Sequence, residues 1–424
     1  MKTILAAAAA LALAGAAAAQ DAVLHAGKLL AEPGEGYQSE RTILIRDGRI
    51  ADVSRGYQLP ADDIPVIDLK DAYVLPGLID SHVHLLGERS PTSRLDTFTK
   101  SDVDAAFDGA QHALRTLMAG FTTVQDVGGG NASIFALRDA IAAGKVPGPR
   151  IRAAGRAVTV TGGHGDANGY SAAVMAFLTG ENACNGADDC RRAVRQLVKE
   201  GADLIKITAT GGVLSNTAAG LEQQFTNDEL SAIVEAASSM GRKVTAHAHG
   251  KSGIDAALRA GVASIEHGTY LDDETIRLFR DNDATLVPTV LAGVTVTGWT
   301  NEPWLPEASR IKAAEVGPRM LDMLARARRG GVNIAYGTDT GVSKHGENAK
   351  EFALMVEAGF SEEDAIRAAT IVAAEHVEMA ADIGSIEEGK FADIIAVRGD
   401  PLEDIAELED VDFVMKGGVV HKSE

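Results

Sequence analysis

The chain has 424 residues, 46% of them apolar, and a formal net charge of −20. That length exceeds one small domain and suits a large α/β domain with an accessory unit. So acidic a chain excludes nucleic acid and anionic membrane surfaces as partners, since both attract basic proteins.

Residues 1–19 open Met-Lys-Thr-Ile-Leu and run through alanine and leucine to Ala17-Ala18-Ala19. One early lysine, an apolar middle and small residues before Gln20 make a secretory signal, cut after Ala19. A membrane anchor is the alternative, but the run is short for a span. The expectation is an exported protein, periplasmic or secreted, free of the membrane after cleavage. Residues 20–75 then show short strands and turns. Thr42–Arg46, Asp47-Gly48 and Arg49–Val53 read as a hairpin with an Asp-Gly turn. The same texture returns over 385–424, so one small β-sandwich domain built from both chain termini is expected.

Between them, residues 76–384 alternate strand and helix. The strands read Leu75–His84, Gly120–Asp126, Arg150–Gly155, Asp203–Thr208, Lys243–His249, Val262–His267, Thr285–Thr289 and Val332–Asp339. Thr226-Asn-Asp-Glu229 is a capping box that opens one of the helices. An eight-fold alternation of this length predicts an α/β fold, a (β/α)8 TIM barrel. Longer connections at 164–192 and 211–244 are expected to be active-site loops. The first of these carries the only two cysteines, Cys184 and Cys190, in a polar, turn-rich stretch. In an oxidising compartment they read as one disulfide closing a surface loop. Free thiols or half a metal site are the alternatives, and no further sulfur exists to complete the latter.

Strand C-termini of such a barrel converge on one face, where catalytic groups sit. His82 and His84 end the first strand two residues apart, so both project to one side. Lys206 ends the fourth strand, His247 or His249 the fifth, His267 the sixth and Asp339 the eighth. Each alone has an ordinary structural explanation, as an ion pair, a core histidine or a helix cap. Jointly, metal-competent residues on so many strand ends point to a metal site.

Pro-Gly-Leu-Ile-Asp-Ser-His-Val-His, Ala-His-Ala-His-Gly, Ile-Glu-His-Gly, Gly-Thr-Asp and Gly384-Ser-Ile-Glu-Glu-Gly-Lys-Phe-Ala-Asp-Ile carry a resemblance over the whole mature chain. It is to the metal-dependent amidohydrolase superfamily, within it to the exported Xaa-Pro dipeptidase-like branch that includes enzymes hydrolysing ochratoxin A. The resemblance implies a homo-oligomer and two Zn²⁺ bridged by a carboxylated Lys206 and a hydroxide. His82, His84 and Asp339 would hold one ion, and His247 with His267 the other, leaving His249 to line the substrate pocket. Asp339 would take the proton of the attacking water and pass it to the leaving amine. His164, in the loop after the third strand, is expected to donate to the developing oxyanion.

The implied reaction is hydrolysis of an amide whose leaving group is an α-amino acid with a free carboxylate, in a dipeptide, an N-acyl amino acid or ochratoxin A. His164, Tyr170, Ser215 and His249 are the expected substrate contacts, with Trp299 and Trp304 as apolar walls. Hydrolysis of a cyclic amide or lactone, deamination, and a non-catalytic metal-binding protein are the competing readings. Deaminases usually place a glutamate soon after the strand-5 histidine, and His247-Ala-His-Gly-Lys has none.

Overall fold

The computed structural model describes residues 21–60, 63–178, 180, 182–217 and 220–424. The expected secretory signal, residues 1–19, lies outside the described residues. Among them, no helix is long and apolar enough to cross a membrane.

The termini build one seven-stranded sheet. Ala22–Leu29 runs parallel to Val66–Pro76, which pairs antiparallel with Ile394–Val397 on its other edge. Gln38–Arg46 and Arg49–Arg55 extend the sheet at one end, and Phe413–Lys416 with Val419–Ser423 at the other. Arg46 faces Arg49 across the expected hairpin, whose turn places Asp47 at φ 49° and Gly48 at φ 76°. Two positive φ values define the type I′ turn that matches strand twist, and Asp-Gly tolerates them. All seven strands share one continuous hydrogen-bonded order, because Val66–Pro76 joins the N-terminal strands to the C-terminal ones.

Alternation along these strands ties the sheet to the rest of the chain. Val74, Ile394 and Met415 fill a cluster with Leu24, Ile43 and Ile45. Their neighbours Leu75, Ile395 and Val414 point the other way and join the main core. Successive side chains on a strand face opposite sides, so one sheet serves two cores.

Among the described residues, the middle of the chain carries eight parallel strands in two sheets. Leu78–Val83, Phe121–Asp126 and Arg150–Ala153 form one. Ile205–Thr208, Val244–Ala248, Ser264–His267, Thr285–Val287 and Asn333–Ile334 form the other. Val158 bridges Ile207 at one seam and Val83 bridges Thr340 at the other. The second seam is reinforced by Ser81 N–H to the Tyr336 carbonyl at 2.9 Å and Asp339 N–H to the His82 carbonyl at 2.8 Å. Helices separate the strands, among them Asn227–Ser239, which opens with the expected Thr226/Glu229 capping box. The eighth strand is shorter than the sequence suggests. Tyr336 N–H bonds Ala368 O, outside the sheet, and Asp339 lies at φ 57°, where no ladder continues.

Cys184 and Cys190 are joined, with Cα atoms 5.0 Å apart. The bridge is no surface staple: both residues are fully buried in the main core. Cys190 belongs to the helix Ala187–Glu200, whose inner face also buries Ala193, Val194 and Leu197.

Candidate metal centre

The C-terminal strand ends open on a cavity of about 960 Å³. Lining it are His82 and His84, Lys206, His247 and His249, His267 and Asp339, together with His164. Two groups stand out. The ligand atoms of His82, His84 and Asp339 lie within 4.8 Å of one another, as do those of His247, His249 and His267. The His82 and His267 rings link the groups, 5.2 Å apart between centroids, and His247 lies 4.6 Å from His267 within the second. His267 and Asp339 hold φ values of 74° and 57°, in the left-handed region that non-glycine residues avoid. Such strain persists where the surrounding fold fixes it, commonly at functional sites.

Four of these histidines are oriented by a partner on Nδ1, whereas His247 has its Nε2 3.4 Å from the Gly211 carbonyl. His82 Nδ1 meets Glu266 Oε2 at 2.6 Å, and His84 Nδ1 donates to the Gly128 carbonyl at 2.9 Å. His267 Nδ1 bonds Thr289 Oγ1 at 2.7 Å, and His249 Nδ1 bonds Thr269 Oγ1 at 2.8 Å. A partner on Nδ1 fixes the tautomer and leaves Nε2 for the cavity, the usual support of a metal-binding imidazole.

Burial pushes the His267 and His247 imidazoles well below their ordinary range, and neighbouring histidines push further. Neutral imidazole is the form that binds metal. Burial alone would raise the Asp339 carboxyl. The positive charge and hydrogen bonding of His82, with His84, instead hold it well below the usual carboxylate range.

Lys206 is the clearest sign that a group belongs here. Its Nζ is buried and has no hydrogen-bond partner. Burial lowers the ammonium's pKa, against the pull of Glu266 and Asp339. A cluster of imidazoles around an orphaned amine and a carboxylate fits metal ions and does not fit an apolar core.

Several supporting residues were not singled out in the sequence. Glu266 is fully buried and accepts from His82, from the Ser264 hydroxyl at 3.2 Å and from the Thr245 hydroxyl. Asp80, two residues before His82, accepts from Thr338 N and Oγ1 at 3.1 and 2.6 Å and from Asn348 at 2.8 Å. It thereby fixes the backbone beside Asp339. Both sit inside motifs that were read, Ile-Glu-His and Ile-Asp-Ser-His, where the carboxylate beside a histidine was the available signal. Lys312 was invisible to that approach: its Nζ donates to the Gly212 and Ser215 carbonyls, both at 2.8 Å, and anchors the loop against His164.

The expected substrate residues divide. His164 Nδ1 and Ser215 Oγ are 2.6 Å apart, and the His164 ring lies 4.2 Å from that of His247. A side chain on Gly212 would overlap the His164 imidazole, so the glycine makes that approach possible. Burial pushes His164 down to about 3, keeping it neutral. Tyr170 is not among the cavity-lining residues; it packs on Phe98 and beneath the Arg94 guanidinium. Trp299 and Trp304 do not line the cavity either, and meet each other edge to face at 5.1 Å. Both expectations rested on loop position, and aromatic rings satisfy themselves equally well against each other. Three cationic side chains line the cavity instead, Arg89, Lys100 and Arg156.

Parallel β/α architecture and paired histidine groups with a buried lysine define a metal-centre hydrolase type, and the Amidohydrolase family matches residues 73–420. The chain belongs to that family. It is 32% identical to the ochratoxinase of Aspergillus niger, over 94% of this chain and 86% of that protein. The crystal structure of a Xaa-Pro dipeptidase with methionine bound in its active site superposes with a TM-score of 0.91. It is 43% identical and covers 95% of this chain and 100% of its own. A prolidase complexed with N-methylphosphonate-L-proline gives 0.86 at 32% identity, covering 95% and 100%. The protein is thus a hydrolase acting on amide bonds, on the branch that holds ochratoxinase and Xaa-Pro dipeptidases.

Proposed function

We propose that the protein is an exported binuclear zinc hydrolase that removes a C-terminal amino acid from dipeptides or N-acyl amino acids. Ochratoxin A, yielding ochratoxin α and phenylalanine, falls within that class. One observation carries the reading: the unpartnered, buried Lys206 Nζ lies within electrostatic reach of histidines in both groups. In its neutral form that amine would add CO₂, forming an N–C bond and releasing a proton, and the carbamate would supply anionic oxygen ligands for the ions. His82, His84 and Asp339 would hold one ion, and His247 and His267 the other. When bound, the ions supply a water of lowered pKa and polarise the scissile carbonyl.

The chain's own residues do the rest. Asp339, kept ionised by His82 and His84, accepts the water's proton at its carboxylate and returns it to the leaving nitrogen as the C–N bond breaks. For His164 to donate from Nε2, Ser215 must donate its hydroxyl to Nδ1, and the 2.6 Å separation suits this. The Nε2–H then meets the carbonyl oxygen as it gains charge. His249, held by Thr269, lines the substrate side. Lys100 is already paired with Asp108 at 2.6 Å, so Arg89 and Arg156 are the cavity cations for the substrate carboxylate.

In the same reading the parallel strands close as a (β/α)8 barrel over 76–384, supported by the backbone bridges at both seams. The terminal sheet, 20–75 with 385–424, curls around its own apolar cluster as a small sandwich. Exposed Leu95, Val103, Phe107 and Phe177 support the expected homo-oligomer.

The test is a screen of zinc-loaded enzyme with Xaa-Pro dipeptides, N-acyl amino acids and ochratoxin A, each as free acid and as C-terminal amide or ester. Hydrolysis confined to free acids, with KM raised in Arg89→Met, is the expected result. Equal rates on capped substrates, or activity on lactones alone, would refute the substrate class.

A further inference from the structure

Outside the catalytic pair lies a third convergence of metal-competent side chains. Glu88 follows the first parallel strand, His112 lies on the helix Asp102–Met118, and His345 follows the eighth strand. Their ligand atoms lie within 4.8 Å of one another, the same span that gathers each of the two catalytic groups. We propose that Glu88, His112 and His345 form a separate site for a divalent cation of the zinc type. The inference is independent of the catalytic reading and stands whether or not Lys206 is carboxylated.

The ring nitrogens explain why. His112 Nδ1 lies 2.8 Å from the Leu85 carbonyl, and His345 Nε2 lies 3.0 Å from the Gly87 carbonyl. A carbonyl only accepts, so each of these nitrogens carries the hydrogen. His112 Nε2 and His345 Nδ1 are therefore left with bare lone pairs. The two rings stack 4.3 Å apart at 19°.

His345 is 5% exposed, and its Nδ1 is buried without any hydrogen-bond partner. The Glu88 carboxylate also reaches this place, accepting from the His345 backbone N–H at 3.0 Å. Two imidazole lone pairs and a half-buried carboxylate held by a single backbone N–H repel one another here. A cation satisfies all three. Carbonyl-held N–H groups opposite the ligating nitrogens are also how metal-bound imidazoles are oriented.

Two histidines and one carboxylate, with a fourth position for water, are a common zinc donor set. Glu88 and His112 line the large cavity, which gives an ion a route from solvent. The site's place gives it a role. It ties the segment following His84 to the segment following Asp339 and to the helix beneath them. A bound ion would brace the rim of the catalytic cavity without touching the substrate.

Crystals of zinc-loaded wild type, measured at the zinc absorption edge, locate ions directly. An anomalous peak between Glu88, His112 and His345, apart from any peaks at His82–His84 and His247–His267, is the expected result. Metal analysis should find one fewer tightly held zinc per chain in His345→Gln and in His112→Gln, with His267→Ala keeping that ion. Either glutamine variant suffices if the other fails to fold. No anomalous peak at this corner, with equal zinc content in wild type and a folded glutamine variant, overturns the proposal.

Discussion

Replacing Glu266 tests whether the carboxylate behind His82 governs the metal centre. Glu266 has no exposed surface and receives hydrogen bonds from His82, Thr245 and Ser264. Burial would raise its pKa, but Lys206 and His82 pull it down to about 2, so it is a carboxylate at any working pH. Glu266→Gln keeps the volume and an acceptor for His82 while removing the charge. Loss of such an outer partner costs about 10–100-fold in metal affinity, or ~1.4–2.7 kcal/mol.

Glu266→Leu goes further and leaves the His82 N–H and one hydroxyl of the Thr245–Ser264 pair, 2.7 Å apart, without an acceptor. At ~1–3 kcal/mol for each orphaned group, the apoprotein should lose at least ~2 kcal/mol of stability. The assay is competition for zinc against a chelator of known affinity, with thermal melts of the metal-free proteins alongside. Glutamine should shift the chelator midpoint with a smaller change in melting, and leucine should depress both. A glutamine variant binding zinc within twofold of wild type would refute the reasoning, because His82 would then need no charge behind it.

Lys206→Ala should lose most bound metal and activity, with partial return when a short carboxylic acid at high concentration takes the place of the carbamate; full activity would sink the bridging role. Asp339→Asn should fold and retain at least one metal while kcat falls about 10²–10⁴-fold, the range for a lost general base, as steady-state kinetics would show. Glu351 accepts the Val290 and Leu291 N–H groups at 2.9 and 2.6 Å, opening the helix Val290–Gly298 beside the cavity. Burial raises it from 4.5 to about 8, so its contribution to stability is complete below about pH 4.5 and lost as pH rises through about 8. Glu351→Gln should therefore melt above wild type at pH 9 relative to their difference at pH 4.5, and a pH-independent difference between the two would count against the burial argument.

What the sequence determined by itself was chemistry set by local spacing. His82 and His84 share a face because strands alternate, Asp47-Gly48 turns a hairpin because both residues accept positive φ, and Thr226 caps a helix with Glu229 three residues on. These are relations over two or three residues, and each reappears in the structure. The ends of the parallel strands could be read the same way, which is why His164, Lys206, His267 and Asp339 all reach one cavity.

Tertiary structure alone decided what stands behind and around those groups. Glu266 meets His82 across 184 positions, Asp80 meets Asn348 across 268, and Lys312 reaches Ser215 across 97. No local pattern encodes such a pairing, since a buried carboxylate and a surface one have the same neighbours in sequence. Tyr170, Trp299 and Trp304 missed the cavity for that reason, and the Cys184–Cys190 bridge went into the core although its sequence surroundings are polar. Glu88, His112 and His345 lie in three unrelated stretches, and only folding brings their ligand atoms within 4.8 Å of one another. Periodicity reports which way a side chain points from its own backbone, and only the packed chain fixes what it points at.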